Sequence, residues 1–414
     1  MKEHDFIFAG VDWATELHQV CALDAEGKQL GERQVKHSAA DLAELCLWLL
    51  QLANGDPSRV LVSIETPHGA VVDTLTEQRF RVHAIHPKQL DRFRDRFSTS
   101  GAKDDRRDAL VLADSLRTDR RAFRELEPDS AWTIELREQS RMHDELNAER
   151  NKLTNRIREQ LRRYFPAFLA VEPDPSSEFG RALFALIPTP EKAHAVKPYR
   201  VAKLLQKHRI RRIDADSVLA RLREPALTLA DGAARASVAH LEMLIERVAL
   251  VARQQRTVLA TIDAMLATPT AEEDSEAESK QRDVEILLSL PGAGRITVAT
   301  LLSEAPRLLD DRDYQRLRAL SGVAPVTKRS GKRIVVGMRH ACHGRLRNAV
   351  YHWARVAAQH DPASKLRYKA LRERGASHGR ALRTVADRLL RAACAMLRDG
   401  TTWRRDEAPA SEAA

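Results

Sequence analysis

Twice within its first 65 residues this chain ends a run of buried-strand character on a carboxylate, and no other feature restricts its fold so strongly. Asp12 follows Phe6-Ile7-Phe8-Ala9-Gly10-Val11, and Glu65 follows Val60-Leu61-Val62-Ser63-Ile64. Continuous apolar runs of this length suit strands covered on both faces, so each acid is expected at the end of a buried strand. A third acidic segment, Lys103-Asp104-Asp105-Arg106-Arg107-Asp108-Ala109-Leu110, opens a helical pattern that continues to Leu116. Asp105 and Asp108 stand three apart and leave the first turn from one face, while Asp104 stands where a helix cap belongs. Carboxylates gathered in this way repel, so a cluster needs a cation, and hard oxygen ligands favour Mg2+ or Mn2+. Two such ions can clamp the attacking and leaving oxygens of a phosphodiester.

The elements around these acids set their order. His18 to Leu23 and Gln29 to Val35 flank a turn marked by Gly27, which reads as a hairpin. Ser38 can cap a helix to about Ala53 with Leu42, Leu45, Leu49 and Leu52 on one stripe. A strand from Arg59 to Ile64, a helix about Ala70 to Gln78 and a strand from Arg81 to Ile85 follow, and then the Asp105 helix. Three strands and then alternating helix and strand, with acids on strands one and four and on the last helix, is the order of a ribonuclease H-like α/β domain over residues 1–125.

The rest reads as mainly helical. Residues 126–267 form a long coiled-coil middle built on two helices. One runs from Trp132 to Tyr164. The other, about Ala233 to Leu266, has a heptad through Leu241, Leu244, Val248, Val251, Val258, Ile262 and Met265. Such helices pair with each other or with another copy, and the regular stripe from Leu241 to Met265 favours a subunit contact. An insertion at 167–230 carries Pro-rich turns and the basic run Lys203 to Arg212, which is either a nucleic-acid contact or a solvated face. Acids from Glu272 to Glu278 mark 268–283 as a linker; residues 284–403 form a C-terminal domain, with a tail at 404–414.

In that last domain Leu290-Pro291-Gly292-Ala293-Gly294 before an apolar helix resembles a helix-hairpin-helix turn, whose amides can hold a phosphate. Beyond Gly322 and Pro325 lies Ser330, framed by Lys328, Arg329, Lys332 and Arg333 and followed by Gly331. Arg345 and Arg347 extend the basic surface; with Lys103 these residues are candidate nucleic-acid contacts. His340, Cys342 and His343 lack a fourth ligand at zinc-like spacing and are assigned structural or phosphate-contacting roles. Lys and Arg number 68 against 58 Asp and Glu, a net +10 that suits a polyanion, and 43% hydrophobic residues exclude a mostly disordered chain. Four scattered cysteines fit a reducing compartment. No stretch approaches the roughly 18 apolar residues of a membrane span, so a soluble cytoplasmic protein is expected.

Taken together, Gly10-Val11-Asp12, Ile64-Glu65-Thr66, the Lys103 to Ala109 pattern, Pro291-Gly292-Ala293-Gly294 and Ser330-Gly331 resemble one family: the DEDD transposases of the insertion-sequence-110 family, or bridge-RNA-guided serine recombinases. The resemblance implies a RuvC-like tetrad at Asp12, Glu65, Asp105 and Asp108 that holds Mg2+. It implies a nucleophilic Ser330 that becomes covalently linked to DNA, in a C-terminal, mainly helical transposase domain. Its expected partners are donor and target DNA, a structured bridge RNA, and further copies of itself as a dimer or tetramer in the bacterial cytoplasm, at the nucleoid. The chain departs from the family in a longer middle and in Gly337 to Gly344, which lacks the usual Ser-Lys between the glycines. Two other functions fit the residues alone: a RuvC-like endonuclease that uses water, and a non-catalytic RNA- or DNA-binding scaffold.

Overall fold

The computed structural model describes residues 6–97, 104–225, 227–230, 232–269, 274–331 and 333–403, apart from the side chains of residues 97, 274–276 and 328. The chain forms two compact units, Met1–Asp129 and Ser130–Ala414.

The first unit is built on one mixed sheet. Strands β1 (Ile7–Asp12), β2 (Leu17–Leu23) and β3 (Gln29–Lys36) form an antiparallel meander, β4 (Val60–Ile64) and β5 (Arg81–Ala84) run parallel to β1, and the short β6 (Arg124–Glu125) closes the edge. The strand order β3-β2-β1-β4-β5-β6 is consistent with the ribonuclease H-like reading. Helices α1 (Ala39–Leu52) and α2 (Ala70–Glu77) cover the face that carries Ile7, Ala9, Val11, Val60, Val62 and Ile64. Helices α3 (Pro87–Phe97) and α4 (Asp105–Thr118) cover the face that carries Phe6, Phe8 and Leu61. Side chains alternate along a strand, so both strands are apolar throughout because both faces are buried. Ser38 caps α1 through the Asp41 amide and Asp104 caps α4 through the Arg106 amide, as their positions suggested.

In the second unit α5 (Ala131–Tyr164) and α11 (Ala233–Ala267) pack along their lengths. The Trp132 indole donates to the Met265 carbonyl at 3.2 Å, tying the start of one helix to the end of the other, so the pair is antiparallel. Five short helices lie between them in sequence: α6 (Pro166–Val171), α7 (Glu178–Leu186), α8 (Pro190–Ala195), α9 (Pro198–Lys207) and α10 (Ala215–Leu222). Their apolar sides share a core with Leu153, Ile157 and Leu161 of α5 and with Leu241, Leu244, Val248 and Val251 of α11. Val258, Ile262 and Leu266 enter a second core, which holds the C-terminal helices. The α11 stripe read as a subunit contact is therefore buried within its own chain. The stripe from Leu241 to Ile262 lies where it was expected, with Leu266 rather than Met265 as its last buried residue, but α5 and the insertion supply the apolar surface that a partner would have supplied.

The remaining elements are α12 (Asp274–Ser289), α13 (Arg295–Glu304), α14 (Pro306–Asp310), α15 (Tyr314–Leu320), the hairpin β7 (Val326–Ser330) and β8 (Arg333–Gly337), then α16 (Gly344–His360), α17 (Pro362–Glu373) and α18 (His378–Asp399). The acidic stretch expected as a linker is helical from Asp274 onward. Gly292, at φ 76°, lies where a Cβ would come 2.6 Å from the Ala357 amide nitrogen, so the turn between α12 and α13 packs directly on α16. The Trp353 indole fixes it by donating to the Pro291 carbonyl at 2.9 Å.

Candidate active site and nucleic-acid hairpin

Gly10 decides how the acids of the first unit are placed. A Cβ at this residue would stand 2.0 Å from the Ala109 carbonyl oxygen and 2.5 Å from the Ala113 amide nitrogen, so α4 lies against β1 only because residue 10 is glycine. Asp12, two residues on in the same strand, is directed to the same face as Gly10. Val11 pairs with Ile64 in the parallel register, so Asp12 ends β1 and Glu65 directly follows β4 at the neighbouring carboxyl end, and both are half-buried. Asp105 is exposed and lines a cleft of about 440 Å3 with Gln19 and Gln34; Gln19 is the cross-strand partner of Asp12. Glu32 supports this floor by accepting from Gln19 and pairing with Arg106 at 3.1 Å. Burial and then the Glu32 charge push the nearby Cys21 thiol up to about 11, which keeps it an unreactive packing group.

Asp108 is placed differently. It is buried, and Arg94 of α3 donates to both its oxygens, at 2.7 and 2.9 Å, with a further bond to Asp91 at 2.6 Å. Burial alone lowers the Arg94 pKa; the Asp108 hydrogen bonds and charge outweigh it and hold the pKa above its ordinary value. Among the described residues no three His, Cys, Asp or Glu side chains are gathered closely enough to hold a metal ion. The four carboxylates have the chemistry of hard-cation ligands, but they are not drawn together around one point, and Asp108 is engaged by a guanidinium. Arg94 had no counterpart in the sequence reading. Pro87 followed by Leu90 and Phe93 could have indicated the helix, but not the side chain that Arg94 meets.

Ser330 ends β7 and is exposed. It pairs across the hairpin with Arg333, and Gly331 begins the turn at φ 55°. Arg329 falls on the opposite face of the ribbon, opposite Ile334, so the basic frame around the serine is divided between two faces. Lys103 and Lys332 lie outside the described residues.

Arg345 serves the interior. It contacts Glu304 at 3.1 Å, Asp144 at 3.0 Å and the Ser140 hydroxyl at 2.8 Å. Arg141 reaches the same Glu304 carboxylate, which is 4% exposed. Burial alone would raise the Glu304 carboxyl, but the Arg141 hydrogen bond and charge, with Arg345 and His343, hold it below 4.5. His343 caps α16 by accepting from the Leu346 amide, and Cys342 packs beneath Gly322, matching the structural role given to these residues. Arg347 is half-buried beside Cys342.

Acids at the ends of parallel strands, joined in one chain to a large helical unit with an exposed basic ribbon, are the make-up of an enzyme that works on nucleic acid, and known proteins define which one. Residues 9–166 match a family of DEDD transposases of IS110 type, and residues 284–369 match one described as "Transposase IS116/IS110/IS902 family". The mini-circle transposase described for IS117 of Streptomyces coelicolor is 32% identical over 93% of this chain and 92% of its own length. A described transposase, y4uE of Sinorhizobium fredii, is 51% identical over 52% of this chain, a match that spans 60% of that relative. The 44.8 kDa protein of insertion element IS116 of Streptomyces clavuligerus is 27% identical over 96% of both chains. The chain belongs to the IS110 family of DEDD transposases and is a DNA transposase. No helix among the described residues is long and apolar enough to cross a membrane.

Proposed function

We propose that this transposase cuts and rejoins the DNA of an insertion sequence through a covalent phosphoserine at Ser330, with Asp12, Glu65, Asp105 and Asp108 as the acids that hold Mg2+ or Mn2+. The observation that carries the reading is the placement of Ser330: an exposed hydroxyl at the tip of a ribbon, with Arg333 as its cross-strand neighbour. Serine Oγ forms a bond to phosphorus as the bond from phosphorus to one deoxyribose oxygen breaks. Oγ gives up a proton and the leaving oxygen takes one up. The phosphoester is conserved, so a hydroxyl of another strand can reverse the step and rejoin DNA without an external energy source. Arg333 stabilises the charge that grows on the phosphate oxygens. A divalent ion, when bound, would supply Lewis-acid polarisation of the phosphate.

Asp108 serves the metal only after parting from Arg94, since one carboxylate cannot give both oxygens to a guanidinium and to an ion. A structured RNA that pairs with donor and target DNA, and assembly into dimers or tetramers, complete the reading on the strength of the family resemblance. The test is Ser330→Ala: DNA binding is retained, while strand exchange and the protein-linked DNA band on a denaturing gel are both lost. A band that persists places the nucleophile elsewhere. DNA cut by wild type without any adduct favours hydrolysis by water.

A further inference from the structure

From Lys192 to Ile213 the chain has eight Lys or Arg and no Asp or Glu, and this stretch lies between the two family matches, which end at residue 166 and resume at 284. Its centre is α9. Val201 and Leu205 anchor that helix in the core shared with Phe179 and Leu183, which fixes the opposite side toward solvent. Tyr199, Arg200, Lys203 and Lys207 are spaced at one or two helical turns on the solvent side, and all four are exposed. Arg209, at φ 55°, and Arg211 continue the basic surface past the helix end. Among the described residues neither these two arginines nor Arg200, Lys203 or Lys207 forms an ion pair; Arg212, which does, meets Glu172 at 2.9 Å. Uncompensated like charges held on a rigid face repel one another, a cost that a bound polyanion removes. Tyr199 adds a second signal: the residue is 67% exposed among the cations, although the apolar core lies directly beneath the same helix.

We infer that the α9 face, through Arg200, Lys203, Lys207, Arg209, Arg211 and Tyr199, binds nucleic acid with unpaired bases, its cations on successive phosphates and Tyr199 stacked on an exposed base. A paired duplex keeps its bases stacked inside and offers Tyr199 no partner, whereas a single strand or an RNA loop offers the base face with the phosphates. The site is separate from the Ser330 hairpin and does not depend on the serine chemistry.

The test measures binding by the full chain, without added metal, to a labelled single-stranded oligo-dT, a hairpin RNA with an unpaired loop and a DNA duplex, using fluorescence anisotropy across a salt series. Replacing Arg200, Lys203 and Lys207 by Ala together is expected to weaken oligo-dT and loop binding at least ~10-fold and to flatten the log–log salt slope by about 2, at roughly 0.7 per phosphate. Tyr199→Ala is expected to weaken the same ligands at least ~5-fold with no change of slope. Circular dichroism and thermal melting confirm that both variants fold. Unchanged affinity and slope in the triple variant would overturn the inference and leave a solvated helix face. Duplex bound as tightly as oligo-dT, with Tyr199→Ala without effect, would overturn the recognition of unpaired bases.

Discussion

Arg94 is the residue that most changes how the acidic site is understood. Its bond to both Asp108 oxygens neutralises a buried carboxylate that would otherwise need an ion. Arg94→Gln is therefore expected to bind Mn2+ at least ~5-fold more tightly than wild type by calorimetry, and adding Asp108→Asn should abolish the gain. Equal affinity in wild type and Arg94→Gln would show that Asp108 is no ligand, whereas an absence of Mn2+ binding in every variant would remove the metal reading itself. Glu304 is a structural counterpart. Glu304→Gln leaves Arg141 and Arg345 without their shared carboxylate and should lower stability by about 3 kcal/mol, the low end for a broken buried pair because both arginines remain partly exposed. A chemical-denaturation midpoint unchanged by that substitution would contradict the role given to the network.

Among the elements, the hairpin and α11 invite opposite tests. Ile334, Val335 and Val336 are exposed on β8, so both faces of the ribbon are open and its basic residues are accessible. Neutralising Arg329 or Arg333 should each flatten the salt dependence of DNA binding by about one unit. Arg345→Ala should leave that slope unchanged and lower thermal stability instead, because its guanidinium already has partners inside the chain. On α11, Leu244→Asp with Val251→Asp places two charges in a closed core and should unfold the second unit. A folded variant with only a smaller sedimenting mass would restore the stripe to a subunit interface.

For the whole molecule, acid should destabilise earlier than the carboxylates alone require. Burial lowers the pKa of His343, and the charges of Arg141, Arg345 and Arg137 add to this against the opposing pull of Glu304. Burial likewise lowers those of His18 and His83. As pH falls through the ordinary value of 6.5 the unfolded chain takes up protons that these folded imidazoles do not, so stability falls until the folded groups also titrate. The melting midpoint should be lower at pH 5 than at pH 7.5. His343→Gln should shrink that difference, and an unaltered difference would remove His343 as a source.

The strand acids, the Asp104 cap and the bounds of α5 and α11 were legible in sequence, because each depends on periodicity or on neighbours within a few residues, whereas the β7–β8 hairpin that carries Ser330 was not foreseen. That Asp12 and Glu65 stand at neighbouring strand ends, by contrast, depends on the register that sets Val11 opposite Ile64, which runs apolar on both faces do not encode. What Asp108, Arg345 and the α11 stripe do depended on groups far along the chain: Arg94, Glu304 with Asp144, and the α5 and insertion core. Periodicity shows that a side chain is buried or charged but not which distant group meets it, and that pairing is settled only when the chain packs.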